Sequence, residues 1–341
     1  MGKPINNVIV EINDFMNTAK HVVSEKVISI TKSLSLESTP GRCEVVVAYH
    51  PIFITIGSII RIWVNGERFF TGRVYAESTS SDGTISYTCY DSLYFWKGSN
   101  LLSYQNKNVS HIFKSTGKMV EVTTIVVDEC TYVPPRIMTE NSTYFSVVQD
   151  AFDRALLAGY GMWVMRDDRF GRVQLINVVL EYNRTKRVLI IGDTSLATSY
   201  NITRSAEDVV TEVKLIHENN EDKVRHVVTA VDNRAKKMYG RITTVETSSE
   251  EMNLSQIKDK AKNILNSKNV VKNTFDVNLV GHSSLLPLRA GDGILVNFNK
   301  LGKFGLNGRP FLIDSITHNI TARDYTVDLN LLGDIFETTI R

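Results

Sequence analysis

The sequence predicts a mainly β protein with an α+β insertion, in which two antiparallel β-barrels are related by internal duplication. Three observations support this prediction. Polar and apolar residues alternate in strand-length runs towards both ends of the chain, as in Tyr325–Leu329, which is typical of strands with one buried face. Apolar residues recur at helical spacing in the middle, from Tyr144 to Leu157. Finally, a strand order found near the N-terminus is repeated near the C-terminus.

The composition is that of a folded protein with two or three domains. The chain of 341 residues is longer than an ordinary domain with one hydrophobic core. Of its residues, 43% are hydrophobic and 22% are charged. The 39 basic and 37 acidic residues give a net charge of +2, which does not indicate a nucleic-acid partner. Cys43, Cys89 and Cys130 are odd in number and far apart, which argues against a disulfide framework and a zinc site.

No targeting or membrane segment is predicted. The N-terminal residues lack the continuous apolar run of a signal peptide. No stretch approaches the roughly 18 apolar residues of a membrane span. We therefore expect a protein that is made in a cytoplasm, is not exported by a cleaved signal and is not inserted into a membrane.

Residues 1–96 are predicted to form the first barrel domain, of six or seven strands. Asn65-Gly66 between two alternating runs is the strongest short hairpin signal, and Pro40-Gly41 and Ser81-Asp82-Gly83 mark further turns. The segment from Phe15 to Val23 is ambiguous between a strand and a helical turn. The predicted strands are 5–12, 26–36, Cys43–Tyr49, Ile59–Val64, Arg68–Ala76 and Ile85–Asp91.

Residues 97–198 are predicted to form a small α+β insertion. A helix is expected over Tyr144–Leu157, with Asn141 or Ser142 as its cap and with Gly159 and Gly161 at its end. The other predicted elements are a short helix at Ser110–Ser115, a strand at Val120–Val127, a hairpin over 161–178 that turns at Asp167-Asp168, and a strand that opens at Leu189–Ile191.

Residues 199–341 are predicted to form the second barrel domain, with a helix at about 255–267. That helix has apolar residues at Ile257, Ala261, Ile264 and Leu265 and a charged outer face. The predicted strands are 209–218, 225–231, 241–247, Phe275–Val280, Gly293–Phe298, Pro310–Ile316 and Tyr325–Leu329.

The two barrel domains contain the same order of local patterns. Both begin with a strand led by glycine, which is followed by a strand led by an aromatic pair or by Pro-Phe. A segment that contains Ser and Thr comes next, and a strand with a Tyr-Thr pair is last. Gly57 and Tyr87 are 30 positions apart and Gly291 and Tyr325 are 34 apart, a difference that we assign to the longer loop Lys300–Gly308. Upstream, Cys43–Tyr49 is matched with Phe275–Val280, which completes the predicted duplication.

Catalytic, cofactor and metal sites are not predicted. Cys43 lies near His50 in the sequence, but it opens an alternating strand and is interpreted as a core thiol. Asp167-Asp168 is interpreted as turn chemistry. His217 and His226 flank a hairpin and could face each other, yet they lack a third clustered ligand. The Gly302–Gly305 segment lacks the Gly-Lys-Ser/Thr ending of a phosphate loop.

Several motifs resemble one known family. Phe70–Val74 followed by Tyr87–Leu93 is similar to the sequence that closes the first barrel in that family. Leu288–Asp292, after the helix-then-strand module at 255–280, is similar to a Leu-x-x-Gly turn of the family. With these motifs in order, the chain resembles the baseplate hub of contractile phage tails, in the version of Gram-positive prophages and R-type bacteriocins. The relatives of this family include the late control protein D group and the base of type VI secretion spikes.

The resemblance implies a structural protein, not an enzyme. It implies a homotrimer with two tube-like barrels per chain, which forms a pseudo-hexameric adapter between the tail tube protein and the central spike protein. Other baseplate and tape-measure proteins would be further partners, without nucleic-acid specificity, in a phage tail or tail-like particle assembled in the bacterial cytoplasm. The alternative is a carbohydrate- or receptor-binding tail component, although Trp63, Trp96 and Trp163 are scattered.

The loop Lys300–Gly308, between the predicted strands Gly293–Phe298 and Pro310–Ile316, is the candidate partner-contact site. It is the main difference in length between the two copies, and it combines basic and apolar side chains. The candidate contact residues are Lys300, Leu301, Lys303, Phe304, Leu306 and Asn307.

Overall fold

The computed structural model describes residues 5, 7–13, 20–36, 39–50, 54–192, 195–219, 224–248, 253–298 and 308–333. Within these residues the chain is mainly β and also contains five α-helices. None of the described helices has both the length and the apolar character that crossing a membrane requires.

The strands and helices follow in this order. The first group is β1 (Val8–Asn13), β2 (Lys20–Val22), β3 (Val27–Ser35), β4 (Arg42–Ala48), β5 (Ile59–Val64), β6 (Glu67–Thr79) and β7 (Thr84–Tyr90). The second is β8 (Ser99–Tyr104), α1 (Val109–Met119), β9 (Thr124–Val126), β10 (Ile137–Thr143), α2 (Tyr144–Leu157), β11 (Trp163–Asp167), β12 (Val173–Asn177) and α3 (Val178–Thr185). The third is β13 (Arg187–Ile191), β14 (Ala197–Ser205), β15 (Glu212–Asn219), β16 (Val224–Val231), α4 (Asn233–Tyr239), β17 (Thr243–Ser248), α5 (Leu254–Lys268), β18 (Lys272–Val280), β19 (Gly293–Phe298), β20 (Arg309–Thr321) and β21 (Tyr325–Leu332).

One large sheet of thirteen described strands joins the two ends of the chain. Its hydrogen-bonded order is β14, β18, β21, β20, β3, β4, β7, β6, β5, β1 and β2, with β19 beside the N-terminal part of β20 and β13 beside β19. Only the β13–β19 pairing in this sheet is parallel. Buried residues of both ends, among them Ile30, Tyr87, Phe275 and Phe311, belong to one core. A mainly β fold with several helices is therefore confirmed.

The two halves of this sheet have the same strand order. The sequence β3, β4, β7, β6, β5 in the first half corresponds to β14, β18, β21, β20, β19 in the second. The β-bulges also correspond, because β6 and β20 each shift register by one residue against their partners, at Val74/Ala76 and at Ile313/Ser315. Equivalent backbone bonds precede them, from Gly57 N to Val74 O and from Gly291 N to Ile313 O, both 2.8 Å.

The registers correct one part of the sequence alignment. Cys43 in β4 and Phe275 in β18 occupy equivalent positions, as the matched segments required, since they lie opposite Cys89 and Leu331 respectively. Tyr87 therefore corresponds to Leu329, so its match with Tyr325 was wrong by four residues. The bulge fixes the true alignment, and a shared Tyr-Thr pair does not reveal it.

The middle segment folds around its own core. Trp96, Phe113 and Phe152 are buried there, between α1, α2 and two small sheets, β8–β10 and β9–β12–β11. The predicted helix at Ser110–Ser115 extends over Val109–Met119, and the strand predicted at Val120–Val127 shortens to β9. Strands β8 and β10 and helix α3 were not predicted.

Helix α2 occupies the predicted residues, but its cap differs from the expected one. Thr143 is the N-cap, because β10 continues in extended conformation up to this residue and its Oγ1 accepts a hydrogen bond from the Ser146 backbone N–H at 3.1 Å. Helix α5 begins one residue before the predicted range, with Asn253 and Gln256 forming a capping box.

Strands β15, β16 and β17 do not join the large sheet, although the sequence placed them in the second barrel domain. They form a separate three-stranded sheet, which α5 covers. Val213 and Leu215 of β15 pack against Ile257 and Ala261 of α5, which gives this unit its own small core. Similarly, β13 and the start of β14 fall within the predicted insertion but pair with strands of the C-terminal half.

Gly72 lies where β6 passes close to β7. A Cβ at this position would lie 2.3 Å from the carbonyl oxygen of Tyr90 and 2.7 Å from the ring of Phe70. We expect Gly72→Ala to lower the free energy of unfolding by about 3 kcal/mol, because backbone would have to move. Denaturant unfolding measures this. The control is Gly98→Ala, whose Cβ would lie 3.3 Å from the Tyr144 ring and 3.6 Å from the carbonyl oxygen of Phe95, and an equal loss in both variants would contradict the explanation.

Candidate functional site

The two halves of the large sheet meet at the antiparallel pairing of β3 with β20, here named the β3–β20 joint. Seven residue pairs form it, from Ser35 opposite Ser315 to Ser29 opposite Thr321. On its polar face the hydroxyls of Ser33 and Thr317 hydrogen-bond at 3.1 Å. On its other face most residues are buried, among them Ile30, Ile316 and Ile320. The joint thus satisfies one strand edge of each half.

A buried lysine and a buried histidine lie opposite each other in this joint. Lys32 and His318 are register partners and are 2% and 0% exposed. Lys32 Nζ donates to the carbonyl oxygen of Phe69 at 2.9 Å and lies 4.3 Å from the centre of its ring. Burial lowers the pKa of Lys32 to about 7, assisted by two nearby arginines. Burial, followed by the charge of Lys32, lowers the pKa of His318 well below its usual value.

The tip of the β11–β12 hairpin contacts both halves beside the joint. Thr71 Oγ1 of the first half donates to the carbonyl oxygen of Arg169 at 2.7 Å. Arg289 of the second half donates through Nη1 to the carbonyl oxygen of Asp167 at 3.1 Å. Asp168, which is buried, accepts hydrogen bonds from the Phe170 backbone N–H and from Arg172 Nε at 2.8 and 2.6 Å. The Asp167-Asp168 pair therefore shapes the turn, as interpreted, and also positions it against both halves.

A fully buried carboxylate connects the middle segment to the second half. Asp292, in the turn before β19, accepts from Arg166 Nη1 at 2.6 Å and forms an ion pair with Arg187. It also accepts from the backbone N–H of Arg289 at 2.9 Å. Arg166 in turn donates to Glu181 of α3 at 2.8 Å. These bonds link β11, α3 and β13 to one turn.

A narrow cavity of about 40 Å³, measured as space open to the centres of water molecules, lies between the joint and the hairpin tip. Asp91 and Asp167 line it together with Lys32, Arg169 and Arg289. Burial raises the pKa of Asp167 to about 6 and that of Asp91 well above its usual value, and their mutual repulsion adds to the shift of Asp91. A polar space of this size accommodates water.

The cysteines have the properties of core residues. Cys43 and Cys89 are buried register partners in β4 and β7. Burial raises the pKa of Cys43 to about 12 and that of Cys89 well above its usual value, so both thiols are protonated at neutral pH. His50 Nε2 lies 3.1 Å from the hydroxyl of Tyr87. The geometry gives these thiols a packing role.

The structure describes the histidine pair but not the candidate contact loop. His217 and His226 are register partners, but His217 is buried and His226 is exposed. In the ranges that the structure describes, no three His, Cys, Asp or Glu side chains group as metal ligands. The candidate contact residues Lys300, Leu301, Lys303, Phe304, Leu306 and Asn307 lie outside the described residues.

Sequence reasoning missed the buried charges around the joint. Lys32 carried a recognisable signal, because it occupies an inward position between Ile30 and Leu34 in an otherwise apolar alternation. Asp292 and Arg166 carried none, since 126 positions separate them and only the fold brings them together.

The depressed pKa of Lys32 should make its effect on stability depend on pH. The folded pKa of about 7 lies below the ordinary 10.5, so the unfolded chain binds more protons between these values. The destabilisation is therefore complete below pH 7 and disappears as the pH approaches 10.5. We expect Lys32→Met to be more stable than the parent by roughly 3 kcal/mol at pH 6, and this advantage should shrink as the pH rises.

Denaturant unfolding from pH 6 to 10 tests this expectation. Lys258→Met, at an exposed position on α5, is the matched control, and a gain at pH 6 as large as that of Lys32→Met would contradict burial as the cause. An advantage of Lys32→Met that grows with pH would show that the lysine is stabilised in its charged form by its neighbours.

The Asp292 network should be sensitive to removal of its charge. Asp292→Asn leaves Arg166 and Arg187 without their buried counter-charge, and we expect a loss of about 3–5 kcal/mol in the free energy of unfolding. Asp276→Asn, on the half-buried surface of β18, is a control for which a loss below about 1 kcal/mol is expected. Similar losses in the two variants would contradict a special role for Asp292.

Comparisons with known proteins agree with this architecture. The solved tail protein from Neisseria meningitidis MC58 is 14% identical, with a TM-score of 0.73 and coverage of 98% of this chain and 99% of that chain. The Escherichia coli c3393 protein, a type VI secretion system component with structural similarity to T4 bacteriophage tail proteins gp27 and gp5, is 12% identical, with a TM-score of 0.54 and coverage of 91% and 74%. The resemblance inferred from the sequence is thus confirmed at the level of the fold.

The family is identified by sequence. The uncharacterized protein YqbQ of Bacillus subtilis (strain 168) is 19% identical over 282 residues, which are 82% of each chain. A family model with the description YQBQ-like matches residues 30–332. Because that match covers most of the chain, this protein belongs to the YqbQ-like family.

Proposed function

We propose that this chain is a structural hub of a contractile tail baseplate. The observation that carries the proposal is the repeated strand order of the large sheet, in which two equivalent halves are joined edge to edge within one chain. The fold is shared with tail proteins and with a secretion component related in structure to T4 gp27 and gp5. The buried charges at the joint have partners within the protein, which favours a structural role over catalysis.

The repeat gives the proposed hub its symmetry. Each half would close into a tube-like barrel, the two being related by internal duplication. A homotrimer would then present six similar barrels in a pseudo-hexameric ring. Such a ring fits a hexameric tail tube on one side and a trimeric central spike on the other. Other baseplate proteins and the tape-measure protein would be further neighbours, in a phage tail or tail-like particle.

The proposed domain organisation follows the strand pairing. Residues 1–96 form the first barrel domain, as the sequence indicated. Because β13 and β14 pair with the C-terminal strands, we assign the insertion to residues 97–185 instead of 97–198. The second barrel domain then includes β13, β14 and β18–β21, with the β15–β17 and α5 unit as an addition between β14 and β18.

The alternative, a carbohydrate- or receptor-binding component, has less support. Glycan binding favours exposed aromatic platforms. Trp96 and Trp163 are buried, and Trp63 is half-buried with the Arg68 guanidinium 4.0 Å from its ring centre. The tryptophans are thus occupied in packing.

Mass measurement of the purified chain tests the hub proposal. Light scattering and native mass spectrometry, alone and with purified tail-tube subunits, should give a trimer that associates with the tube protein. A chain that stays monomeric under both conditions, or that binds glycans as a monomer, would overturn the proposal.

The loop 300–307 remains our candidate for a contact that distinguishes the two copies. Shortening the segment from Lys300 to Gly308 to a two-residue turn should leave the free energy of unfolding within about 1 kcal/mol, because loop length contributes little. It should nevertheless reduce particle assembly, scored by electron microscopy of lysates. A second variant keeps the length of the loop but replaces its residues by Gly and Ser, which removes the side chains alone. Normal assembly of both variants would contradict this contact.

A further inference from the structure

Two unpaired strand edges of the large sheet are complementary to each other. In the described part of the chain, β14 pairs with β18 alone and ends the sheet. Among the described residues, Ala76–Thr79 of β6 pair with β7 on one edge only, since β5 covers β6 no further than Arg73. In the repeat, β14 corresponds to β3 and β6 corresponds to β20. The two unpaired edges are therefore equivalent to the two edges that pair with each other in the β3–β20 joint.

The equivalence can be followed residue by residue. Lys32 lies opposite Cys43, and Ile202 lies opposite Phe275, so Lys32 and Ile202 are equivalent. Both strands also shift register against their partners one step from their start, at Val27/Ser29 and at Ala197/Ser199. The β14 strand is therefore a second copy of β3 that, among the described residues, has no partner strand on its outer edge.

The same reasoning identifies the strand that fits this position. The bulges align Ser315 of β20 with Ala76 of β6. Within one chain, β3 binds β20 from Ser315 onward. Hence the equivalent partner of β14 is the segment of β6 that begins at Ala76.

We propose that β14 of one subunit pairs antiparallel with Ala76–Thr79 of β6 in the next copy of this chain. This inference rests on the proposed trimer and specifies how its ring closes. The register of the β3–β20 joint, transferred through the repeat, gives the contact pairs, which are Ala76 with Ser205, Glu77 with Arg204, Ser78 with Thr203 and Thr79 with Ile202.

The side chains that this register brings together are complementary. Glu77 and Arg204 have opposite charges, both are exposed, and neither has an ion-pair partner among the described residues. Arg204 uses Nε for a bond to Asn273 Oδ1 at 3.1 Å. Ser78 and Thr203 repeat the hydroxyl pair of Ser33 and Thr317 in the β3–β20 joint. A direct cross-strand ion pair favours this register.

The register also discriminates against the wrong pairing of edges. The pair equivalent to Glu77 and Arg204 in the β3–β20 joint is Ile316 and Leu34, which are apolar. If β14 displaced β3 on β20, Arg204 would lie against Ile316, and if β3 bound β6, Glu77 would lie against Leu34. Each wrong pairing buries a charge without a partner, which is costly. The two contacts are thus kept distinct.

Cysteine pairs test the register directly. Residues directly opposite in a sheet are close enough for a disulfide, and the native cysteines Cys43, Cys89 and Cys130 are buried. Under mild oxidation we expect the double variant Ser78→Cys/Thr203→Cys to give cross-linked dimers and trimers on non-reducing gels. Ser78→Cys/Asn201→Cys, two residues out of register on the same face, should cross-link about tenfold less. A mixture of the two single variants Ser78→Cys and Thr203→Cys should stop at cross-linked dimers, which would show that the bond joins two chains.

Charge reversal tests the ion pair. Glu77→Arg or Arg204→Glu alone should weaken trimer formation about tenfold, because like charges then face each other, and the double reversal should restore it to within about threefold. Lys258→Glu is the control for a general charge effect. A trimer by mass that cross-links equally in both registers, or that the double reversal does not restore, would overturn this contact and leave the hub proposal standing. A chain that stays monomeric even with tube subunits would overturn both.

Discussion

The pairing of β3 with β20 is the constraint on which the rest of the structure depends. A strand edge presents unpaired N–H and C=O groups, and each half of the large sheet satisfies one such edge of the other. The pairing also creates the surface on which the β11–β12 hairpin tip rests, through Thr71 on one side and Arg289 on the other. The joint therefore brings both contact surfaces of the hairpin tip together.

Apolar alternation and a polar pair across the joint both bear on this register. A slip of one residue would turn the apolar face of β3 outward, and the alternation excludes it. A slip of two would keep that face inward, so apolar side chains alone do not forbid it. The hydroxyl pair of Ser33 and Thr317, in contrast, crosses the joint and belongs to the observed register. Lys32 donates to the Phe69 carbonyl oxygen of its own half, so its burial costs stability without selecting the register.

The sequence predicted what local chemistry determines. Alternation and turn residues located most strands of the large sheet, and the helical spacing located α2 and α5. Gly57 and Gly291 were a sequence sign of the repeat, and both backbone N–H groups donate an equivalent hydrogen bond, to β6 and to β20 respectively. The sequence did not reveal β8 and β10, whose alternation is weak, or the separate sheet of β15–β17, because alternation reports a buried face and not the partner that buries it. The ion network was likewise hidden, since Asp292 meets Arg166 and Arg187 only through the fold.

The two halves differ at a few places, which the proposed trimer would repeat three times around its ring. Asp292 corresponds to Ser58, which is also buried but bears no charge, so only the second half can hold Arg166 and Arg187. Strand β13 is parallel to its neighbour β19, whereas β1 is antiparallel to its neighbour β5. The reason is that β13 leads from the middle segment directly into β14, while the β1–β2 hairpin precedes β3. Each departure lies where the middle segment attaches, and the strands that form edges keep equivalent registers. In the proposed trimer, edges that are alike would suit a closed ring of six halves, and one insertion in every two halves would reduce the symmetry of that ring to three.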